Sequence, residues 1–579
     1  MSATKGEAAE TPSGQRTAIG ISWGNSNSSI AHTSTDGKVG VLANEEGDRQ
    51  IPSILSYIGG EEFHGTQAKA QLVRNNDNTI AYFRDFLGKD FKSVDPTACH
   101  ASAHPKAHEE TVSFSVRETD ADSLSTLSVS EVTTRHLRRL ASSASDFLGR
   151  KVNAAVITVP TDFTDTQRQA LIEAAKVADI DVLQFISEPV AAVLAYDARP
   201  DAKIADKVVV VADLGGTRSD VAVIASRGGI YTILATAHDY ALGGAQLDQV
   251  LIDFFAKEFI KKHKTDPREK ARSLAKLRLE AEATKKALSQ SSSASLSVES
   301  LAEGIDFTST VNRTRYELLA GKVLDGFTRL VEEAVQKAQL DLLDVDEVIL
   351  SGGTSNTPKI ARLLQTRFPH ATVHAPSTSA TALNPSELAV RGAAIQASLI
   401  QEFDHDDVEQ STHPMVTVTP HLRHAVGMLV TSANASSPTF YPLLAPNTAV
   451  PVRRTAHFRA PAAGGDVLIK LCEGIREIKV SKVEAKAKAN GDSDATLDSD
   501  EDEEDEEEEE EQETREKIWT PSTSLAEVAV RGVGRGKKVE VMVNVAADLS
   551  VQVTAREVGG KGGVRGGLEK PTTTENGAA

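Results

Sequence analysis

The sequence predicts an α/β unit built from two duplicated lobes, followed by an antiparallel β domain. Three observations carry this. A strand, a glycine turn and a second strand occur twice, as AIGISWGNSNSSIAH from Ala18 and VVVADLGGTRSDVAVIA from Val209. From Thr17 to about Gln401, short apolar strands alternate with helices without a low-complexity break. Beyond a polar, proline-closed segment, the pattern changes to period-two alternation bounded by Gly, Pro and Asn, as half-buried strands require.

In the first unit the strand signals are TAIGIS (17–22), SSIAHT (28–33), AAVITVP (154–160), VVVVADL (208–214), DVAVIAS (220–226) and EVILSGG (347–353). Leu137, Leu140, Ala141, Ala144 and Leu148 share one face at helical spacing, and a longer charged helix is expected from about Arg268 to Leu288. FDHDDVEQSTHP reads as a linker, placed at 403–413. MVTVTP, HAVGMLV, DVLIKLCEG, SLAEVAVRGV, KKVEVMVNVAA and LSVQVTARE are the strands of a β domain over 414–558. Residues 1–16 and the glycine-rich 559–579 are expected to be disordered, and no helical segment is expected after the strands.

At 579 residues and 40% hydrophobic content, the chain can build several cores, in three or four folding units. Cys99 and Cys472 stand alone, without CxxC spacing or a Cys/His cluster, so a disulfide framework or structural zinc is not expected. MSATKGEAAETPSGQ lacks the apolar core of a signal peptide, and no stretch approaches the uninterrupted apolar length of a membrane span. A cytoplasmic chain is expected. Of the net charge of -19, a segment from Asp492 to Glu516 with 17 acids and one base holds nearly all. Its unbroken run from Asp500 to Glu511 repels itself and has nothing to bury, so a disordered insertion over 490–516 is expected. It is either a solvated loop or a tether that competes with RNA phosphates for basic surfaces.

Glycine turns between strands let backbone N–H groups converge on an anion, because no side chain blocks the approach. One such turn is an ordinary hairpin. Two on duplicated lobes suit a nucleotide gripped from both sides. LSGGTSNTPKI adds a third turn, between a strand and a helix that Pro358 can open, suited to a sugar or base.

In order and spacing, TVPTDFTDTQRQALIEAAKVADIDVLQFISEPVAAVLAY, VVADLGGTRSDVAVI, HDYALGGAQLD, SLAEGIDFTSTVNRTRYE and NPSELAVRGAAIQA resemble segments of the 70-kDa heat-shock proteins. The resemblance is strong over about 17–400 and weak over 411–558. It implies an actin-like ATPase fold, two ribonuclease-H-like lobes around a deep cleft, joined by a linker to a β-sandwich that binds extended peptides. It implies ATP as the cofactor. Carried onto this chain, the first phosphate loop is Gly24, Asn25, Ser26 and Asn27, and the second is Gly215, Gly216, Thr217 and Arg218. Lys69, Glu188 and Asp213 match the lysine and carboxylates of the catalytic centre. Gly243, Gly244, Glu282, Lys285, Lys286, Ser289, Gly352, Gly353, Thr354 and Asn356 would form the adenosine side. On the residues alone, a second reading makes Lys69 and Glu188 an ion pair between lobes and Asp213 a turn former. Lone histidines such as His64 and His238 read as surface or satisfied residues.

The departures from the family pattern concern charge. Ser22 stands where the family has the aspartate that orients magnesium-bound water, and a hydroxyl does not replace a carboxylate for a hard cation. Arg218 stands where a threonine faces the γ-phosphate. It can pair with phosphate oxygens in place of the metal, or act as an arginine finger. Ala245 and Gln246 replace an acidic pair, while Lys286, Asn356 and Ser386 replace a stacking arginine, a second arginine and an aspartate around the base. No metal ligand is assigned, and Lys69, Glu188 and Asp213 are read as vestigial. The linker lacks the family's leucine run, and the β domain reads as truncated, without a lid.

These departures resemble an atypical fungal subtype of the family. It implies a non-hydrolysing, ATP-binding scaffold in a stable heterodimer with a zuotin-like J-domain co-chaperone in the ribosome-associated complex. Such a complex meets ribosomes and nascent chains and activates a second, active heat-shock chaperone. Neither membrane contact nor direct sequence-specific nucleic-acid binding is expected. The alternative is a slow ATP-hydrolysing chaperone that binds unfolded clients itself. A sugar or acetate kinase of the same superfold is disfavoured, since a β-rich domain follows and no small-substrate pocket is evident.

Overall fold

The computed structural model describes residues 16–568 apart from 100–101, 109–110, 119–123, 201, 203–204, 380, 404–406, 408–419, 431–437, 483–512 and 561–562. The chain divides into two compact units, Met1–Thr417 and Val418–Ala579.

The first unit contains two sheets of one topology. In the first, the strand order is Asp181–Ser187, Ala154–Val159, Ala18–Trp23, Asn27–Thr33, Val39–Leu42. In the second it is Thr372–His374, Glu347–Ser351, Lys207–Leu214, Ser219–Arg227, Ile230–Asp239. Each sheet is an antiparallel meander of its first three strands, continued by two strands that run parallel to the first. The near-repeat of the sequence is therefore a repeat of sheet order. Parallel strands buried on both faces need continuous apolar runs, which explains why AAVITV is buried at every position.

The helix Leu388–Ile400 lies against the first sheet and against the helix Glu188–Asp197. Close approach depends on two glycines. A Cβ on Gly392 would overlap the Ala191 carbonyl oxygen, and one on Gly20 would overlap the backbone of Ala394. The long charged helix runs Ala271–Gln290, burying Leu277, Ala281 and Leu288.

The second unit is a sandwich of two four-stranded antiparallel sheets. One has the order Thr439–Leu444, Ala425–Val430, Gly465–Lys482, Glu513–Val533, and the other Val452–Arg459, Lys538–Val545, Val551–Glu557, Val564–Leu568. Val539, Val541, Val543 and Val545 alternate into a core shared with Ile469, Leu471 and Val528 of the facing sheet.

Two expectations are corrected here. The glycine-rich tail does not begin at 559, because Val564–Leu568 pairs with Val551–Glu557. Glycine is used for packing there: a Cβ on Gly566 would come within 2.7 Å of Val528 Cγ1, so only a bare backbone fits. The acidic insertion was expected to reach 516, but 513–516 are strand, paired in register with 479–482. The rest of it (490–512), the MVTVTP strand up to Thr419, most of the linker and the N-terminal 1–15 lie outside the described residues. Among the described residues, no helix is long and apolar enough to cross a membrane.

Candidate functional site

The two glycine turns meet. Gly24 N–H donates to the Asn27 carbonyl (3.1 Å) and Gly215 N–H to the Arg218 carbonyl (3.0 Å), closing each hairpin. Asn25 Nδ2 donates to Thr217 Oγ1 across the gap (3.2 Å), and a Cβ on Gly216 would overlap Ser26 Oγ. The third and fourth turns close on the second. Gly244 N–H donates to the Gly215 carbonyl (3.0 Å) and Ala245 N–H to that of Gly216 (2.8 Å). Thr354 Oγ1 also donates to the Gly215 carbonyl (2.8 Å). Gly352, at φ 81°, is in the left-handed region and lies against Asp213. A Cβ on Gly244 would come within 2.8 Å of Thr354 Oγ1 and 2.9 Å of Lys285 Nζ. The turns at 24–27, 215–218, 243–244 and 352–354 thus form one bare-backbone cradle, the form that suits a phosphate tail.

Around this cradle, Lys285 Nζ holds the Gly244 carbonyl and Asp248, both at 2.9 Å, and Ser289 Oγ donates to the Lys285 carbonyl. Asn356 Nδ2 reaches the Gly353 carbonyl (3.1 Å) and Ser386 Oγ (3.2 Å). Lys286 is exposed and pairs with Glu282 at 2.8 Å.

Lys69 pairs with Glu282 and not with Glu188. It sits on the short helix Gly65–Ala70, and its Nζ donates to both oxygens of Glu282 (2.8 and 2.7 Å). Lys69 and Lys286 hold the Glu282 carboxyl at about 2, although burial works against them. The cation beside Glu188 is Arg84, which the sequence reading did not nominate. Arg84 is 5% exposed and lies 3.3 Å from Glu188 and 2.8 Å from Asp85. Burial pushes the Glu188 and Asp213 carboxyls up, and Asp220 adds to both. Ser351 Oγ donates to Asp213 at 3.3 Å.

Arg218 was expected to face a phosphate. Its backbone closes the second turn, but its guanidinium is committed elsewhere. Nε donates to Asp220 (2.8 Å), Nη2 bonds Asp220 and also Asp162 (2.9 Å), and the group lies 4.4 Å over the Tyr240 ring. Tyr240 bonds Asp162 in turn, and His238 Nδ1 bonds Asp220 at 2.6 Å. The ligand atoms of Asp162, Asp220 and His238 lie within 4.8 Å of one another, a spacing that could hold a metal ion, and Arg218 is the charge that meets them. His238 is thus a satisfied residue. Asp162, Asp220, Tyr240 and Arg84 are residues of this network that motif reading missed.

Magnesium does not fit these residues well. Ser22, Ala245 and Gln246 offer no charge, and Gln246 Oε1 is used to accept from Gly243 N–H at 2.8 Å. Asp162 and Asp220 already have Arg218 as counter-ion.

The Hsp70 protein family model matches residues 18–416. A heat shock protein 70 homolog of Schizosaccharomyces pombe is 46% identical over 559 residues, covering 95% of each chain. The ribosome-associated complex subunit SSZ1 of Saccharomyces cerevisiae is 42% identical over 552 residues, covering 95% of this chain and 99% of that one. A heat shock 70 kDa protein of Emericella nidulans is 31% identical over 461 residues, 79% of this chain and 69% of the relative.

Proposed function

Because the chain belongs to the Hsp70 family, we propose that it binds ATP without hydrolysing it and acts as a cytoplasmic scaffold, paired with a J-domain co-chaperone at the ribosome. Residues 17–402 are the nucleotide-binding domain, 403–413 the linker, and the β domain continues from 414 through Leu568. The complex activates a second heat-shock chaperone, which receives the nascent chain. Near full-length likeness to a ribosome-associated complex subunit supports the setting.

The observation that carries the reading is the commitment of Arg218 to Asp162 and Asp220. Stabilising the charge that develops on a transferred phosphoryl group needs donors aimed at it, and the Arg218 guanidinium has its N–H groups and its charge taken by Asp162 and Asp220. ATP brings a polyanionic tail, which the backbone N–H groups of the two hairpin turns would hold from both lobes. Thr217, Thr354 and Lys285 stand around that cradle. Binding of this kind stabilises the folded domain by mass action and leaves the nucleotide intact. The β domain would grip an extended partner segment by strand addition and side-chain pockets.

Equilibrium titration of ATP tests the metal part of this reading. Affinity is expected to change by less than about threefold when magnesium is removed with chelator. A loss of about tenfold or more, roughly 1.4 kcal/mol, contradicts it. Purification from cells at low salt tests the partners. A J-domain protein and ribosomes are expected to accompany the chain, and recovery of neither contradicts the scaffold assignment.

A further inference from the structure

The sheet Val452–Arg459, Lys538–Val545, Val551–Glu557, Val564–Leu568 has a basic outer face, although the chain's net charge is -19. Val539, Val541, Val543 and Val545 point into the sandwich core, so Lys538, Glu540, Met542 and Asn544 point outward. Register carries that side across the sheet. Arg453, Thr455, His457 and Arg459 stand opposite Asn544, Met542, Glu540 and Lys538, and Arg556 stands opposite Glu540 from the third strand. Arg565 stands opposite Thr554, which itself faces Met542. Arg453, Arg459, Lys538, Arg556 and Arg565 are all exposed.

Five cations thus share one face with one carboxylate. Glu540 takes Arg556 at 2.6 Å and lies 3.4 Å from His457. Arg453, Arg459, Lys538 and Arg565 have no carboxylate partner among the described residues, and Arg565 donates to Gln552 instead. In the first unit, by contrast, Arg84, Arg135 and Arg218 each meet two or more carboxylates. On the outer face of the other sheet, Lys470 pairs with Glu527 at 3.0 Å. At physiological salt charges act over about 8 Å, so the local excess and not the chain total governs a contact here. Four unmatched cations on one face select an anion with several charges.

Their arrangement narrows the choice. With strands about 4.8 Å apart and same-face residues about 7 Å apart along each, Arg459, Lys538, Arg556 and Arg565 form a diagonal across all four strands in steps of about 5–8 Å. A phosphodiester backbone, charged at every residue, can meet such a row at several points. Three of these four are arginines, whose planar fork matches phosphate oxygens. No Phe, Tyr or Trp stands at the outward positions, so the face has no platform for unstacked bases and suits a duplex backbone rather than a single strand.

We infer that this face binds the phosphate backbone of double-stranded RNA, independently of sequence. The choice of RNA rests on the ribosomal setting proposed above, whereas the choice of a polyanion rests on the face alone. Binding measured with purified chain and RNA, without ATP or a J-domain protein, can fail while that setting stands. Fluorescence anisotropy of a labelled RNA duplex with the full chain is the test. Four phosphate contacts predict that log K falls against log salt with a slope of about -3 to -4. In the double variant Arg459→Ala/Lys538→Ala the slope is expected to shrink by about 2, with affinity at least about tenfold weaker at low salt for two duplexes of unrelated sequence. Arg565→Ala, on another strand, is expected to shrink it by about 1 and keeps the test valid if the double variant disturbs folding. Lys470→Ala, on the other sheet, should bind like the wild type. The inference is overturned if the duplex does not bind saturably at low salt, or if the double variant and Arg565→Ala keep the wild-type affinity and slope. It is also overturned if polyglutamate displaces the duplex as well as unlabelled RNA does, which would assign the face to an acidic protein.

Discussion

Replacing Arg84 with alanine is expected to lower stability by about 3–5 kcal/mol where Glu188 is ionised, the cost of leaving one member of a buried ion pair alone. Burial pushes the Glu188 carboxyl up to about 8, and without Arg84 it rises further, so at neutral pH and below the folded variant holds a proton there and the loss is smaller; it grows as pH rises through and above about 8 and the carboxylate stands uncompensated. Urea unfolding at two pH values reads both effects. Lys69→Ala is the contrast. Its pair with Glu282 is about a quarter exposed at each side chain, and about 1 kcal/mol is expected. Equal losses for the two variants where Glu188 is ionised would contradict the placement of Arg84 as the cation of the carboxylate centre.

Gly392→Val is expected to cost about 3 kcal/mol or more, beyond the usual range for overpacking, because the new side chain meets a carbonyl and not a movable side chain. Helix Leu388–Ile400 would have to lift from Glu188–Asp197, the helix whose first residue is Glu188. Loss of the native fold on expression, or a large drop in the urea midpoint, is the expected outcome. A midpoint unchanged from wild type would show that the helices are not held this closely.

Much of the fold was legible because it is written locally. The two hairpins announce themselves as strand, glycine and strand, and the structure brings their glycines into one cradle. Charge partners were less legible, since they depend on which elements cross. Lys69 lies on the helix Gly65–Ala70 and Arg84 on the short 3-10 turn Arg84–Phe86, and only the paths of those elements decide that Lys69 meets Glu282 and Arg84 meets Glu188. The fate of Arg218 was closer to reach. Arg218 and Asp220 are two apart at the start of a strand, but the register set by the Gly228–Gly229 turn would face Asp220 with Ala237, and a bulge between Val223 and Ile224 moves it opposite His238. Asp162 and Tyr240, which complete the network, belong to other elements and leave no such signal. In the tail, composition misled, because glycine serves close packing against Val528 as well as disorder.

The central claim is that the cleft holds ATP as a brace. A single-turnover assay tests it most directly, with the purified full chain, substoichiometric radiolabelled ATP and magnesium, with and without a J-domain protein. The account predicts phosphate release no faster than in buffer under both conditions. Turnover that the J-domain accelerates would contradict it.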